Sequence, residues 1–299
     1  MLETRSVLWL RHELTNADPF ARFSQHELRA PGLIVFRQRF EEGTFDEALE
    51  PEVARGAAWS RARVVLEGEV LARVAGRDVV LRRGGMLACA TWSMAPLRGL
   101  TATSDVLNVA WLSGGPLGAR APTGDVASLP GAVQAAMDDL ARAIGGHERA
   151  ALGGALRAVI SALRALGIDL DEDAATGSAG AVEPADHRFA DAIQAVLFPL
   201  SARPMAADLG HRLDRSDRHV LRLAQRYFER FHVTVSGWRE YVHAMRIGVG
   251  MFLASHPRSR TEGVSRTLGF SSPTALCHAF HAAGLPSPQA LRRELGAGR

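Results

Sequence analysis

The stretch "GFSSPTALCHAF", residues 269–280, decides how this chain is interpreted. Gly269 suits the left-handed backbone of a sharp turn. Ser272 can accept a hydrogen bond from the first amides of a new helix, and Pro273 suits the first helical position. The preceding "VSRTL", residues 264–268, has the composition of a short helix. A helix, a tight turn and a capped second helix are the parts of a helix-turn-helix.

A second copy of this pattern lies roughly 56 residues earlier, in "SDRHVLRLA". In both copies a serine is followed four residues later by an apolar residue, and two residues after that by a cationic or ionisable one. The matching pairs are Ser216 and Ser272, Val220 and Leu276, and Arg222 and His278. Residues 238–256, "WREYVHAMRIGVGMFLASH", predict a long helix that joins the copies. Two such modules on one axis could reach successive major grooves, about 34 Å apart along DNA.

Charge divides the chain into two oppositely charged parts. Residues 187–299 contain 16 arginines and 8 acidic residues, a net charge of +8. Residues 1–186 contain 19 arginines and 24 acidic residues, a net charge of −5. The chain has no lysine, and 8 of its 11 histidines also fall in the C-terminal part. A basic domain is the electrostatic footprint of a polyanion partner, most simply nucleic acid. Genomic base bias would explain the missing lysines but not the asymmetry.

The composition predicts a soluble protein. A hydrophobic fraction of 47% and a charged fraction of 22% are typical of globular proteins, and no apolar run is long enough to span a bilayer. The first residues lack the cleavage site of a secretion signal, so we expect a cytoplasmic location and no membrane partner. Cys89 and Cys277 lie far apart in the sequence, which suits reduced thiols.

Residues 1 to about 115 predict a small β-sandwich or barrel. Val and Leu alternate or cluster over strand-length runs in residues 61–91 and 104–112, between turn glycines. Residues 66–85, "LEGEVLARVAGRDVVLRRGG", resemble the hairpin and following turn of cupin-like sensor domains.

We expect this domain to be a sensor or a dimer scaffold and not an enzyme. Its candidate strands from Arg61 to Leu112 contain no histidine, whereas cupin enzymes hold a metal through His and Glu. Catalytic motifs such as a nucleophile elbow, a phosphate loop or HExxH are absent, so we predict no catalytic residues, no metal and no cofactor. Four tryptophans could line a small-molecule pocket or simply fill the barrel: Trp9, Trp59, Trp92 and Trp111.

The hydrophobic period changes at about residue 129. Residues 129–168 place apolar side chains at steps of three and four, which predicts two amphipathic helices joined near Gly145 and Gly146. The apolar face of this hairpin could pack against the sheet or form a homodimer contact. Residues 171–186 are acidic and small, as in a flexible interdomain linker.

The C-terminal 100 residues resemble the AraC/XylS family of bacterial transcription regulators. Four segments carry the resemblance: "SDRHVLR" (216–222), "MRIGVGMFLAS" (245–255), "VSRTLGFSSPTALCHAF" (264–280) and "LPSPQALR" (285–292). The resemblance implies an α+β multidomain protein in which an N-terminal cupin-like β-barrel or jelly roll with a helical hairpin precedes an all-α domain with two helix-turn-helix modules. The implied parts are a regulatory domain (1–120), the hairpin (121–170), the linker (171–186) and a DNA-binding domain (187–299).

The resemblance also implies ten DNA-contacting residues. They are Ser216, Arg218, His219, Leu221 and Arg222 in the first module, and Ser272, Pro273, Thr274, Cys277 and His278 in the second. Arg222 is the best candidate for a base contact, because its planar fork can bond two acceptors of a guanine. His278 stands where the family commonly has arginine, so we expect the second module to read bases weakly. Residues 230–238, "RFHVTVSGW", lack a glycine that is familiar there in the family.

The implied partners are double-stranded DNA, a second copy of the chain, a small-molecule effector and, for an activator, RNA polymerase. The sequence does not name the effector or separate activator from repressor. The alternative is an interaction or scaffold protein whose helical domain binds protein instead of DNA.

Overall fold

The computed structural model describes residues 8–15, 22–31, 33–41, 59–74, 77–89, 97–112, 126–146, 149–168, 182–197, 199–233, 235–256 and 258–296. A β-rich N-terminal part is followed by a helical hairpin and by a helical C-terminal part with two helix-turn-helix modules. The predicted α+β multidomain class is therefore confirmed.

Two antiparallel sheets form the β-rich part. The strands are β1 (Leu8–Thr15), β2 (Arg22–Ala30), β3 (Leu33–Glu41), β4 (Trp59–Glu67), β5 (Glu69–Val74), β6 (Arg77–Arg82), β7 (Gly85–Cys89), β8 (Leu97–Gly99), β9 (Thr103–Leu112) and β10 (Val126–Ser128). Among the described residues, the larger sheet has the order β1-β2-β3-β9-β4-β7-β10 and the smaller one β6-β5-β8. Side chains alternate between the faces of each strand, so the larger sheet presents two faces of different character.

One face of the larger sheet is covered by the hairpin of α1 (Gly131–Gly146) and α2 (Arg149–Ala165). Leu28, Val35 and Val109 from the sheet are buried in one cluster with Met137 and Leu156 from the helices. Each such side chain contributes about 1.5–3 kcal/mol when fully removed from water. Of the two uses that the sequence left open for the hairpin, packing on the sheet is the one observed.

The other face of the larger sheet packs at one end against the smaller sheet. Phe40, Val65 and Val106 share a buried cluster with Val70 and Leu97 of the smaller sheet. Two sheets packed face to face in this way form the cupin-like, jelly-roll arrangement that the sequence predicted.

Two boundaries differ from the sequence prediction. Strand β10 pairs with β7 although it lies in the segment 121–170 assigned to the hairpin, because a strand of three residues is too short to show an alternating pattern. The predicted linker, 171–186, lies outside the described residues as far as residue 181. Its last residues differ from a linker: Val182 is buried, and a helix begins at Pro184, where Asp186 accepts a hydrogen bond from the amide of Glu183.

The C-terminal part consists of helices. They are α3 (Pro184–Leu197), a 3-10 helix (Leu200–Ala202), α4 (Ala206–Leu213), α5 (Asp217–Arg230), α6 (Trp238–Ser255), α7 (Thr261–Thr267), α8 (Pro273–Ala282) and α9 (Pro288–Gly296). Phe228 and Trp238 are buried in the core of this part. Helix α3 packs against the edge strand β1 and so joins the helical part to the sheet. Within the described residues, no helix has both the length and the apolar character needed to cross a membrane.

Candidate nucleic-acid interface

The first module consists of α4, a short turn and α5. Asp214 ends α4 in the left-handed conformation, with φ of 53°, and the amide of Arg215 donates to the carbonyl oxygen of Gly210 at 2.9 Å. A Cβ on Gly210 would lie 2.8 Å from the carbonyl oxygen of Arg215, so glycine lets the turn fold closely onto α4.

The second module, α7 and α8, repeats this turn. Gly269 is left-handed, with φ of 70°, and the amide of Phe270 donates to the carbonyl oxygen of Ser265 at 2.8 Å. Asp214 and Gly269 therefore hold equivalent positions. The two modules that the sequence predicted share one hydrogen-bonding frame.

The two recognition helices, α5 and α8, also end alike. The amide of Val233 donates to the carbonyl oxygen of Phe228 at 2.7 Å, and the amide of Leu285 donates to that of Phe280 at 2.9 Å. The left-handed residue before each donor is His232, with φ of 53°, in the first module and Gly284, with φ of 74°, in the second. His232 thus holds in the first module the left-handed position that glycine holds in the second.

Helix α5 exposes a basic surface on one side and buries the other. Arg218, Leu221 and Arg222 are exposed, and Leu221 keeps 49% of its surface open, unusual for a large apolar side chain. Neither arginine forms an ion pair with a described residue. The opposite side of α5 is core: Val220, Ala224, Tyr227 and Phe228 are buried. Two guanidinium groups beside an apolar side chain suit the edges of base pairs, where Arg binds guanine and an apolar group contacts the thymine methyl.

The serines that begin the two recognition helices behave differently. Ser272 accepts a hydrogen bond from the amide of Ala275 at 3.1 Å and Pro273 holds the first helical position, as predicted. Ser216 is the N-cap residue of α5, but its exposed hydroxyl makes no capping hydrogen bond. That hydroxyl is therefore available to an outside acceptor such as a phosphate oxygen.

Helix α8 offers less charge than α5. Pro273, Thr274 and His278 are exposed, and Cys277 is half-buried. In the first module His219 is likewise half-buried. All ten residues expected at DNA thus lie on the two recognition helices or at their starts, while their role in binding remains a prediction.

Helix α6 fixes the two modules to each other. The indole Nε1 of Trp238, at its start, donates to the carbonyl oxygen of Pro204 beside the first module. A Cβ on Gly250 would lie 3.0 Å from side-chain atoms of Leu268 and Phe280 in the second module. The absence of a side chain at Gly250 therefore allows α7 and α8 to pack directly on α6.

The tryptophans expected at a ligand pocket are only partly described. Trp92 lies outside the described residues, and the side chains of Trp9 and Trp59 are also outside them. Trp111 is 2% exposed and belongs to the cluster between the sheet and the hairpin. For Trp111 the structure supports core filling and not a pocket wall between the two sheets.

A buried polar chain that the sequence did not indicate crosses the other face of the larger sheet. Its members, in hydrogen-bonded order, are Arg61, Asn108, Gln38, Gln25, Glu27 and Arg29. The contacts at its ends are 2.7 Å, from Arg61 Nη2 to Asn108 Oδ1, and 2.6 Å, from Arg29 Nε to Glu27 Oε1. An alternation of polar and apolar residues is the pattern of a solvent-facing strand, and only the tertiary structure shows that this polar face is buried.

No model of a known protein family matches the chain, and no curated protein matches it. Among solved structures, the chain is similar to ToxT from Vibrio cholerae O395, with 11% identity and a TM-score of 0.36 over 90% of this chain and 99% of that one. KdgF from Halomonas sp. is similar at 14% identity and a TM-score of 0.27, over 34% and 87% of the two chains. The cupin domain of an XRE-family transcriptional regulator from Enterobacter cloacae is similar at 15% identity and a TM-score of 0.24, over 28% and 84%. Likenesses this low carry no argument about function.

Proposed function

We propose that this protein is a sequence-specific, DNA-binding transcription regulator of the AraC/XylS type and not an enzyme. The observation that carries the proposal is the exposed face of α5. Arg218, Leu221 and Arg222 lie together on it, the arginines are not neutralised by described acidic residues, and the opposite side of the helix is core. A helix of this kind in a basic domain, with a second module held on the same axis, suits two neighbouring sites on a duplex.

We further propose that the N-terminal part controls DNA binding, through a small-molecule effector or through dimerisation. The buried polar chain supports this idea because buried charged groups cost several kcal/mol unless they are well paired. Burial raises the pKa of Tyr227 in α5, and the charges of Arg29 and Glu27 also act on it. Helix α3 packs against both the edge strand β1 and α5, so the sheet that carries the polar chain is connected to the first recognition helix.

Selection from random duplexes by the full chain at low salt tests DNA binding. We expect an enriched motif of two subsites, bound with an affinity that falls steeply as salt rises, because phosphate contacts release counterions. Arg218→Ala/Arg222→Ala is the matched variant and should lose the preference at one subsite. If the wild type enriches no motif, the regulator proposal is wrong and the protein-binding alternative is favoured.

A thermal-shift screen of small molecules against the full chain tests effector control. A ligand that binds only the folded state raises the melting temperature. We expect Asn108→Ala, which interrupts the polar chain between Arg61 and Gln38, to abolish that shift. A ligand that stabilises the variant and the wild type equally would place the effector elsewhere.

A further inference from the structure

Two arginines outside the predicted interface meet at the turn of the second module. The Nε of Arg203 donates to the carbonyl oxygen of Gly269 at 2.8 Å, and the Nε of Arg246 donates to that of Leu268 at 2.7 Å. Arg203 follows the 3-10 helix just before α4, whereas Arg246 lies in the middle of α6. The segment just before the first module, the connecting helix and the turn of the second module therefore converge at this point.

The contact at this junction is close on both sides. A Cβ on Gly269 would lie 2.8 Å from the carbonyl oxygen of Ser201, so the backbone of the 3-10 helix touches that of the second module there. The guanidinium carbon of Arg246 lies 4.0 Å from the centre of the Phe270 ring, a favourable cation–π geometry. These contacts fix where both guanidinium groups lie.

The two positive charges have no counter-ion among the described residues. In the described part of the chain, neither Arg203 nor Arg246 forms an ion pair, and each uses only its Nε for a hydrogen bond. Burial and, after it, the charge of Arg203 lower the pKa of Arg246, as expected for like charges held near each other. Each guanidinium keeps four N–H donors for an anion.

The junction also lies where a DNA strand should pass. In a helix-turn-helix the first helix crosses the sugar-phosphate backbone, and the recognition helix enters the groove by its N-terminal residues. Arg203 precedes α4, the first helix of the first module, and both arginines hold the turn that leads into α8. If a duplex binds in this geometry, we expect the strand between the two grooves to run past both side chains.

We propose that Arg203 and Arg246 together bind a phosphate of the DNA backbone between the two subsites. The assignment rests on the proposed function, since its ligand is the duplex. A phosphate bound here neutralises the guanidinium pair and fixes how far apart the two recognition helices enter the major groove. It adds affinity but no base preference, because phosphate contacts carry no sequence information.

The test measures the affinity of the full chain for its selected duplex across a salt series, for wild type, Arg203→Gln, Arg246→Gln and the double variant. Each phosphate contact contributes about 0.9 to the slope of log K against log salt. We expect a shallower slope in the Gln variants with an unchanged base preference. Arg203→Lys/Arg246→Lys keeps both charges and should keep most of the slope. Arg157→Gln, an exposed site on α2, is the matched control and should change nothing.

The outcomes separate this proposal from the proposed function. If the wild type binds a motif but the Gln variants keep the full salt slope, the proposal of a phosphate site is wrong, whereas the proposal of a DNA-binding regulator is not affected. If the Gln and Lys variants lose equal amounts of this slope, or if their base preference changes, the two arginines have a structural role instead. If the wild type binds no duplex, both proposals fail. Arg203 is exposed, so its Gln variant should fold and give a result even if changes at Arg246 do not.

Discussion

The two helix-turn-helix modules use one backbone frame but different residues at its left-handed positions. The first module has Asp214 and His232 there, and the second has Gly269 and Gly284. Position 214 tolerates a residue other than glycine because aspartate, with its short polar side chain, can adopt the left-handed backbone conformation. At Gly269 a Cβ would lie only 2.8 Å from the carbonyl oxygen of Ser201, so conformation and space both require glycine. The turn of the second module is therefore fixed by contact with the 3-10 helix that precedes the first module, whereas the turn of the first module makes no such demand for glycine at Asp214.

Gly269→Ala should break the second module, and Gly284→Ala is its matched control. Both changes place alanine in a left-handed conformation, at about 1 kcal/mol, but only position 269 also meets backbone atoms. Overpacking adds about 2 kcal/mol. We expect the free energy of unfolding to fall by about 3 kcal/mol for Gly269→Ala and about 1 kcal/mol for Gly284→Ala in urea titrations. Equal losses would contradict the close contact with Ser201.

Arg222→Ala and His278→Ala compare base reading by the two modules. Arg222 is exposed and can bind guanine with two hydrogen bonds, so we expect a loss of about 2 kcal/mol, near 30-fold in affinity, with relaxed preference at one or two base pairs. His278→Ala should cost less than about 1 kcal/mol. Arg188→Ala, an exposed site on α3, serves as the control in the same binding titration. A larger loss for His278→Ala would reverse our ranking of the modules.

Ser272→Ala and Ser216→Ala compare the two helix starts. Ser272 caps α8 through its hydroxyl, so its loss should lower the free energy of unfolding by about 1 kcal/mol. Ser216 makes no such bond, so its replacement should lower the free energy of unfolding by only about a few tenths of a kcal/mol. Ser216→Ala should instead weaken DNA binding if the hydroxyl reaches a phosphate. Chemical denaturation measures both variants. Equal losses of stability would contradict the assignment of a capping hydrogen bond to Ser272 but not to Ser216.

His232→Gly should have the smallest effect at neutral pH, because relief of about 1 kcal/mol of left-handed strain is largely offset by the added freedom of glycine in the unfolded chain. Burial lowers the pKa of His232 in the folded protein. The unfolded state therefore takes up the proton first as pH falls below about 6.5, and the wild type loses stability there. Unfolding at pH 7.5 and 5.5 should show the advantage of the variant growing at low pH. An advantage that is independent of pH would mean that His232 does not titrate in this way.

Much of the helical part could be predicted from the sequence because its signals are local. The cap at Ser272, the proline at position 273 and the glycine turn at 269 act within a few residues, so the start of α8 was predictable. The exposed sides of α5 and α8 follow from helical spacing once their buried sides are recognised.

Other features depended on contacts between distant segments. Arg203 and Gly269 lie 66 residues apart, and nothing in the sequence distinguishes that arginine from its many neighbours of the same type. The buried polar chain needs the register of β4, β9, β3 and β2, which sequence alternation alone does not set. The position of Trp111 likewise depends on which face of β9 the hairpin covers.

Short segments of the sequence determine the two modules, the cap and glycine turn of the second module, and the basic character of the C-terminal part, because helix capping, glycine turns and charge are local properties. Packing between distant segments sets which polar residues are buried, how α6 and the Arg203 contact hold the modules, and where two guanidinium groups without an ion pair among the described residues meet. The physical reason is that burial, strand register and the approach of distant backbones are properties of the packed chain, and a local pattern is compatible with several packings.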